Sequence, residues 1–499
     1  MTLGRSSVLL GTAAAILLGL PGVASAQKCK GQKPKGGMWA TSAELYLKNA
    51  RSNPRPEEKA SLYQQALDVL AEGFEKQPEN PRNYEMAGQA YVGLNDYEGA
   101  DSVFKKAVEI WSCYSGLIDT LRYNAWVGAF NRGIQYAGSG DEERAVEAYS
   151  QAWMIYKKLP QPQLQIGAIS ANRALAAEPG AERAEEQSRA QEAFRSALTS
   201  IEQAGERLTA EQRQEYSRAA AFNLAQMLAF DERYQDAAKA YDRFLALEPD
   251  NVDATTNAAV VLTRASTQNA AKAADMEDGP EKEAILADAA ALKERAKGYY
   301  AKLLGREDLS ADEFHNLGIG LLQLQMNADA VQAFSRAVAL TPYSERSMAQ
   351  LAFVLFSEGN YDSLTVVAQK LVDRYPLDKN NLALLANAYR ELDNSEKALE
   401  LLERREALAM EVVDVELKMV EESYELSGNL LNISLEPGAT VDLVFDFYSD
   451  AGEKVSTAAI SLTAAEAGMG SSFTVPTTSE QPISGFSYQV ATSETPSGT

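Results

Sequence analysis

The sequence predicts a mainly α protein: an α-solenoid of about nine helical hairpins, followed by a small all-β sandwich domain. Two observations predict this fold. First, a pattern of small and bulky residues that is typical of paired helices recurs along most of the 499 residues, several times at a spacing of 34. Second, the hydrophobic period falls to two after about residue 409, which is the spacing of half-buried strands. With 45% hydrophobic residues, the chain can fill several packed cores.

Composition narrows the classes of function. The 47 Lys and Arg residues are outnumbered by 70 Asp and Glu residues, giving a net charge of −23. This acidity argues against a nucleic-acid backbone or an anionic membrane surface as the main partner. The chain has two cysteines and one histidine, too few for a zinc cluster, a Cys-His nucleophile pair or a multi-histidine site within one subunit. We therefore expect no metal and no cofactor.

The segment 1–26 has the three parts of a secretory signal peptide. Arg5 precedes an apolar run at 8–20, and the small residues Ala24, Ser25 and Ala26 follow it. The alternative is a retained membrane anchor, but an apolar core of about 13 residues is short against the roughly 20 of a spanning helix. No later segment reaches the roughly 18 uninterrupted apolar residues that would suggest a membrane-spanning helix. We expect an exported chain, periplasmic or secreted, that starts near residue 27 with a basic, flexible N-terminus at 27–38.

Export would place Cys29 and Cys113 in an oxidising compartment, where a disulfide between them would persist. The alternative is a pair of unpaired thiols, with Cys113 buried at a helix end. Sequence alone leaves both open, because it does not show whether the two sulfur atoms can meet.

The repeat pattern is clearest around residues 314–342. Its predicted second helix has a small residue, a bulky one four positions on, another small one three further, and then a proline: Ala330, Phe334, Ala337 and Pro342. Its predicted first helix carries one apolar face, made of Phe314, Leu317, Gly318 and Leu321. A second clear copy has Gly88 in the first helix, with Phe104 in the second.

The residue that opens the second helix recurs nine times, at Ala66, Ala100, Ala145, Ala190, Ala237, Ala296, Ala330, Leu364 and Ala398. These residues and spacings resemble the tetratricopeptide repeat (TPR), a helix-turn-helix unit of about 34 residues. The resemblance implies stacked hairpins over residues 39–409. Wider spacings in the middle imply insertions, and the longest, at 266–287, is interpreted as lengthened helices with a turn rather than an ion site.

The resemblance also implies a groove lined by the first helices, which in TPR proteins takes peptides or partner helices. Aligned on the motif, the groove-facing candidates are Arg82, Glu85, Gln89, Asp312, His315, Ile319, Arg346, Phe353, Asn387 and Arg390. The alternative is that they are ordinary solvent-facing residues. The Lys and Asn clamp that holds a peptide carboxylate in some TPR domains is incomplete, since Asn387 matches but Ala383 stands in place of the Lys.

Residues 410–491 are predicted to form the β-sandwich, with a polar tail at 492–499. Between 441 and 448, apolar and polar residues alternate as in a half-buried strand. The segment 445–450 resembles bacterial Ig-like modules of the FxLYD type, with Phe447 in place of the Leu and Ser449 inserted before the Asp.

No catalytic residue is predicted. His315 could act as a base, but no Ser or Cys nucleophile signature lies near it, and a structural or groove-lining role fits better. The acidic residues fall mostly on predicted helix surfaces and turns. Our main hypothesis is a non-enzymatic scaffold that binds protein partners in the bacterial envelope. The alternative is a carbohydrate-handling accessory protein, which exposed aromatics such as Tyr448, Phe486 and Tyr488 on one β face would favour.

Overall fold

A computed structural model describes residues 36–420 and 423–491. It contains eighteen α-helices followed by six β-strands, which confirms the predicted fold class. The predicted signal peptide at 1–26, Cys29 and the polar tail at 492–499 lie outside the described residues. The leader and the Cys29–Cys113 disulfide therefore stay predictions.

The helices form nine hairpins, and each odd-numbered helix is the first of its hairpin. Their bounds are α1 Met38–Ser52, α2 Pro56–Lys76, α3 Pro81–Gly93, α4 Tyr97–Ile110, α5 Ser115–Gly138, α6 Glu142–Ile155, α7 Gln161–Ala176, α8 Ala181–Gln203, α9 Ala210–Phe230, α10 Tyr234–Leu245, α11 Val252–Ala274, α12 Pro280–Leu304, α13 Ala311–Gln323, α14 Asn327–Leu340, α15 Glu345–Ser357, α16 Tyr361–Arg374, α17 Lys379–Glu391 and α18 Ser395–Glu406. The chain divides into two compact units between Val261 and Leu262, inside α11.

Small residues on the first helices let aromatic rings of the second helices pack against the backbone. A Cβ atom on Gly318 would lie 2.7 Å from the ring of Phe334, and one on Gly88 would lie 2.2 Å from the ring of Phe104. Gly133 and Gly167 face Tyr149 and Phe194 in the same way. All four rings are at most 2% exposed. The small and bulky residues of the repeat pattern are therefore contact partners within a hairpin.

Six of the hairpins share one turn. In each, a residue with positive φ lies two positions before the first residue of the second helix: Asn95, Gly140, Glu232, Gln325, Gly359 and Asp393. The next N–H donates to a carbonyl five residues back, as in the 2.9 Å bond from Met326 to Leu321. This is the Schellman arrangement that ends a helix, and it favours glycine or asparagine at the positive-φ position. The sequence predicted that the second helices open at residues such as Ala100 and Ala330, but these helices begin three residues earlier.

The insertions in the middle of the array lengthen helices. α5, α8, α11 and α12 have 24, 23, 23 and 25 residues, against 13 in α13. The last two are joined by the short segment 275–279, and the Ser266 hydroxyl on α11 donates to the Ala289 carbonyl on α12 at 2.7 Å.

The β-sandwich consists of two three-stranded antiparallel sheets, with strand orders β1-β2-β5 and β4-β3-β6. The strands are β1 Met410–Val420, β2 Ser423–Asn432, β3 Thr440–Tyr448, β4 Lys454–Thr463, β5 Gly470–Thr477 and β6 Gly485–Val490. Val441, Leu443, Phe445 and Phe447 alternate into the core of the sandwich, as the period of two predicts. The FxLYD-type identity of this domain stays a prediction.

The sandwich packs on hairpins α13–α14 and α15–α16 through aromatic contacts. Tyr343, in the loop before α15, stacks on Tyr448 of β3 with ring centroids 3.5 Å apart and planes 7° from parallel. The buried Tyr375 hydroxyl donates to the Phe486 carbonyl at 3.0 Å. A Cβ atom on Gly485 would lie 2.0 Å from the Tyr343 carbonyl oxygen. The end of the helical array and the sandwich therefore share one buried interface.

Replacing Gly318 with alanine should destabilise the protein by about 1–3 kcal/mol, because the added methyl group overpacks against Phe334. Gly318→Leu should cost more. The matched control is Gly298→Ala on α12, where a Cβ atom would meet nothing within 4 Å; it should be neutral or stabilise the helix by up to about 1 kcal/mol. Thermal and urea unfolding would measure both. If Gly318→Leu melted like the wild type, the register of this repeat would be wrong.

Opposite effects are expected at two equivalent turn positions. Gln325 has a φ of 61° and Gly359 a φ of 67°. Because a left-handed conformation costs a non-glycine residue about 1–2 kcal/mol, Gln325→Gly should stabilise the protein by about 0.5–1 kcal/mol, and Gly359→Ala should destabilise it by a similar amount. Urea unfolding midpoints of the two variants would show this, and shifts in the same direction would contradict the shared turn.

Candidate partner-binding face

Residues at the same position of consecutive first helices form one face of the helical hairpins, which we call the first-helix face. In hairpins seven to nine it is formed by α13, α15 and α17. Its middle row consists of Ile319, Phe353 and Asn387, each one repeat after the residue before it. The other predicted groove residues of these hairpins lie on the same three helices.

In the N-terminal unit, Arg82, Glu85 and Gln89 lie together on α3 and bond to one another and to α1. Arg82 Nη2 lies 2.8 Å from Glu44 Oε2, and Arg82 Nη1 lies 3.6 Å from Glu85 Oε2. Gln89 Nε2 donates to Glu85 Oε1 at 3.1 Å, and Arg51 of α1 donates to Gln89 Oε1. These three predicted groove residues therefore hold two neighbouring first helices together.

Burial shapes the electrostatics of this network. The side chain of Glu85 is only 5% exposed, and that of Arg82 is 18% exposed. Burial on its own would lower the pKa of Arg82, but the hydrogen bond to Glu44 and the charges of Glu85 and Glu44 outweigh it and raise the pKa. The guanidinium is therefore fixed in its charged form. Its removal would leave a buried carboxylate without its charge partner.

In the C-terminal unit, Asp312 of α13 and Arg346 of α15 form a salt bridge across neighbouring first helices. Their side chains are 77% and 55% exposed. An ion pair this exposed contributes at most about 1 kcal/mol, since water screens it and both side chains lose freedom. Asp312 and Arg346 could therefore separate and pair with charged groups of a partner at little cost in free energy.

His315 is buried rather than presented to a ligand. It is 9% exposed, its Nδ1 lies 3.0 Å from the Ser347 hydroxyl, and its ring packs edge-on against Phe334 at 5.6 Å. Burial, together with the positive charge of Arg346, lowers the pKa of the imidazole, although Asp312 opposes this. His315 is therefore a contact between α13 and α15.

Phe353 is the most exposed apolar residue of α15. It is 59% exposed on α15. Ile319 and Asn387, at the same position of the neighbouring hairpins, are half-buried. Small side chains lie beside two members of the row, since Ala349 and Ala383 occupy the position one turn earlier on α15 and α17. An exposed phenyl ring beside small side chains can insert into a pocket of a partner.

Arg390 lies at the end of α17. It pairs with its chain neighbour Glu391 at 2.9 Å rather than with another first helix. Its side chain is 64% exposed. Like Arg346, it is a cation that a partner can reach.

Within residues 36–420 and 423–491, no three or more His, Cys, Asp and Glu side chains are grouped so that they could hold a metal ion. No helix in that part of the chain has both the length and the apolarity needed to cross a membrane. The face described above presents an apolar ring, small side chains and charged groups.

Residues 81–110 match the tetratricopeptide repeat family. This segment comprises helices α3 and α4. Among curated proteins, the comparison found no match.

Three solved structures illustrate the structural similarity. The crystal structure of MamA is 16% identical over 38% of this chain and 91% of its own, with a TM-score of 0.29. YrrB, described as a TPR protein with an unusual peptide-binding site, is 21% identical over 43% of this chain and 91% of its own, with a TM-score of 0.29. The C-terminal part of a TPR repeat-containing protein from Cytophaga hutchinsonii is 15% identical over 62% of this chain and 99% of its own, with a TM-score of 0.28. At these values no function transfers to this chain.

The partners of several predicted groove residues are not evident from the sequence. Glu44 and Arg51 of α1 complete the network around Arg82, and Ser347 holds His315. One signal was available: Asp312 and Arg346 stand one repeat apart, so opposite charges at one position of consecutive repeats already indicated a bridge between first helices.

The three β-domain aromatics that would favour glycan binding are not displayed on an open face. Phe486 is 5% exposed and Tyr488 is 4% exposed, and Tyr448 is stacked on Tyr343. Phe486 and Tyr488 both pack against Tyr375 of the helical array. They serve the interface between the sandwich and the hairpins.

His315 should make stability depend on pH. Because its pKa is lowered on folding, the unfolded chain binds a proton more readily, so stability should fall as the pH drops below about 6.5. Urea unfolding at about pH 7.5 and pH 5 would measure the loss, and it should be smaller in His315→Gln. Acidic residues titrate in both the wild type and the variant. The difference between their losses of stability therefore reports on His315 alone. An equal loss in both proteins would contradict the assignment.

Proposed function

We propose that this chain is an exported, non-enzymatic scaffold that binds a protein partner in the bacterial cell envelope, either in the periplasm or after secretion. The first-helix face of hairpins seven to nine is its binding site. Stacked helical hairpins present an extended surface of this kind, and tetratricopeptide repeats are protein-interaction modules. The signal-peptide pattern of residues 1–26 supports export.

The exposure of Phe353 carries the proposal. A phenyl ring that is 59% exposed leaves apolar surface in water, which is unfavourable by about 25 cal/mol per Å² until a partner covers it. The exposed cations Arg346 and Arg390 lie on the same face. An apolar anchor with charged residues around it is the usual composition of an interface centre and rim.

The charges suggest which partner would fit. Arg346 is already balanced by Asp312, whereas Arg390 has only its chain neighbour Glu391. A segment with an apolar side chain over Phe353 and a polar or acidic side chain near Arg390 would suit both. Since Ala383 replaces the clamp lysine, this segment need not end in a carboxylate.

Site-specific photocrosslinking in the source organism tests the proposal. Phe353 would be replaced by a benzophenone derivative of phenylalanine, which preserves most of the ring. Val366 of the second helix α16, 60% exposed, is the matched control position. We expect a discrete crosslinked protein from position 353 that is absent at position 366 and that is lost when Arg390→Glu is added. Mass spectrometry would identify it.

Two outcomes would contradict the proposal. Crosslinks of equal yield and identity at positions 353 and 366 would mean that the contact is not specific to this face. The absence of any crosslink at 353 in a chain that is present and folded would remove this face as the binding site. Fractionation of the cells would separately test the envelope location.

A further inference from the structure

The last helix, α18, exposes a leucine at a position that is buried in the second helices α14 and α16. Ala398, Leu402 and Arg405 correspond to Ala330, Phe334 and Ala337 of α14. In α14 all three positions are 0% exposed, whereas Leu402 is 42% exposed. Leu399 next to it is 57% exposed, and Ala398 is the one buried residue of α18.

The physical reason is the missing neighbour. Each of α14 and α16 packs against the first helix of the following hairpin, α15 or α17. After α18 the described chain continues instead into strand β1 at Met410. Terminal repeats of solenoids usually carry a polar outer face, because no further repeat covers them. α18 retains two leucines there.

Acidic side chains flank the two leucines. Leu399 and Leu402 are three residues apart and so lie on one face of the helix. Glu396 and Glu403, three residues before and four after Leu399, border that face on the side of Leu399. Both glutamates are exposed. The face is therefore apolar in the middle and negative along that border.

Two of the three basic residues of α18 lie away from the leucines. Lys397 packs over the ring of Tyr389 on α17, with the ammonium 4.9 Å from the ring centroid. Arg404 follows it by seven residues and so lies on the same side. The third, Arg405, lies three residues after Leu402 at one edge of the leucine face, where it pairs with Glu406 at 2.6 Å. The opposite edge, which carries Glu396 and Glu403, is therefore the acidic one.

We propose that this face of α18 binds an amphipathic helix of a partner protein, whose apolar stripe covers Leu399 and Leu402 and whose Lys or Arg residues pair with Glu396 and Glu403. The bound helix takes the place that the first helix of a following hairpin takes on α14 and α16. In helix-in-groove recognition of this kind, the bound helix contacts its partner through apolar residues at helical spacing. This site is separate from the first-helix face, so the chain would hold two partners, or two segments of one.

A peptide titration tests the proposal with the chain from residue 27 onward. The probe is a fluorescent helix of about 18 residues, with leucines at helical spacing and lysines beside them. Two comparison peptides carry glutamate in place of lysine, or the same residues in scrambled order. We expect the lysine peptide to bind more tightly than both, by fluorescence anisotropy. Leu399→Ala with Leu402→Ala should weaken its binding by at least about tenfold.

Two further variants test whether the peptide binds to this face or to the negative charge of the chain as a whole. Val366→Ala on α16 should leave binding unchanged, because Val366 is exposed but outside the proposed face. Glu396→Lys with Glu403→Lys should reverse the preference, so that the glutamate peptide binds better. Circular dichroism would verify that each variant is folded.

The proposal is wrong if the lysine peptide does not bind, if the scrambled peptide binds equally well, or if the double leucine variant binds like the wild type. Loss of binding in Phe353→Ala with retention in the leucine variant would assign the peptide to the first-helix face instead, and would likewise overturn it.

Discussion

The close approach of an aromatic ring to the backbone of the neighbouring helix is the constraint on which the helical array depends. Gly318 beneath Phe334 and Gly88 beneath Phe104 are two cases of it. One hairpin cannot bury its own apolar face, so the distance between its helices decides whether the next hairpin can stack on it. In hairpins α3–α4, α5–α6, α7–α8 and α13–α14 that distance is set by a residue without a side chain.

The same regularity explains where this chain can carry function. Core positions of a hairpin are fixed by contacts within the repeat, whereas the outward positions of the first helices are not. In hairpins seven to nine those positions hold an aliphatic residue, an aromatic residue and an amide, at Ile319, Phe353 and Asn387. The array is thus a uniform support for a variable surface, and its last helix is a second variable surface because no repeat follows it.

Much of the fold could be predicted because its signals are local and periodic. The small and bulky residues of each hairpin and the alternation in β3 follow directly from helical and strand geometry. Contacts between elements could not be predicted in the same way. The burial of His315 and Glu85 depends on neighbouring first helices, and alternation in β6 does not reveal that Tyr488 faces Tyr375. For the candidate site, the sequence identified the helix faces, while the pairing of charges required the three-dimensional structure.

The contact between Gly485 and Tyr343 has a consequence for how this sequence can vary. The two residues are far apart in the chain, one in a loop between helices and the other on a strand. Even so, the backbone of the loop before α15 leaves no space for a side chain at position 485 of β6. Because the crowding atom at position 343 is a backbone oxygen, no substitution of the Tyr343 side chain would make room for a side chain at position 485. Any module that replaced the sandwich would have to offer the loop before α15 an equally open strand, or the path of that loop would have to change.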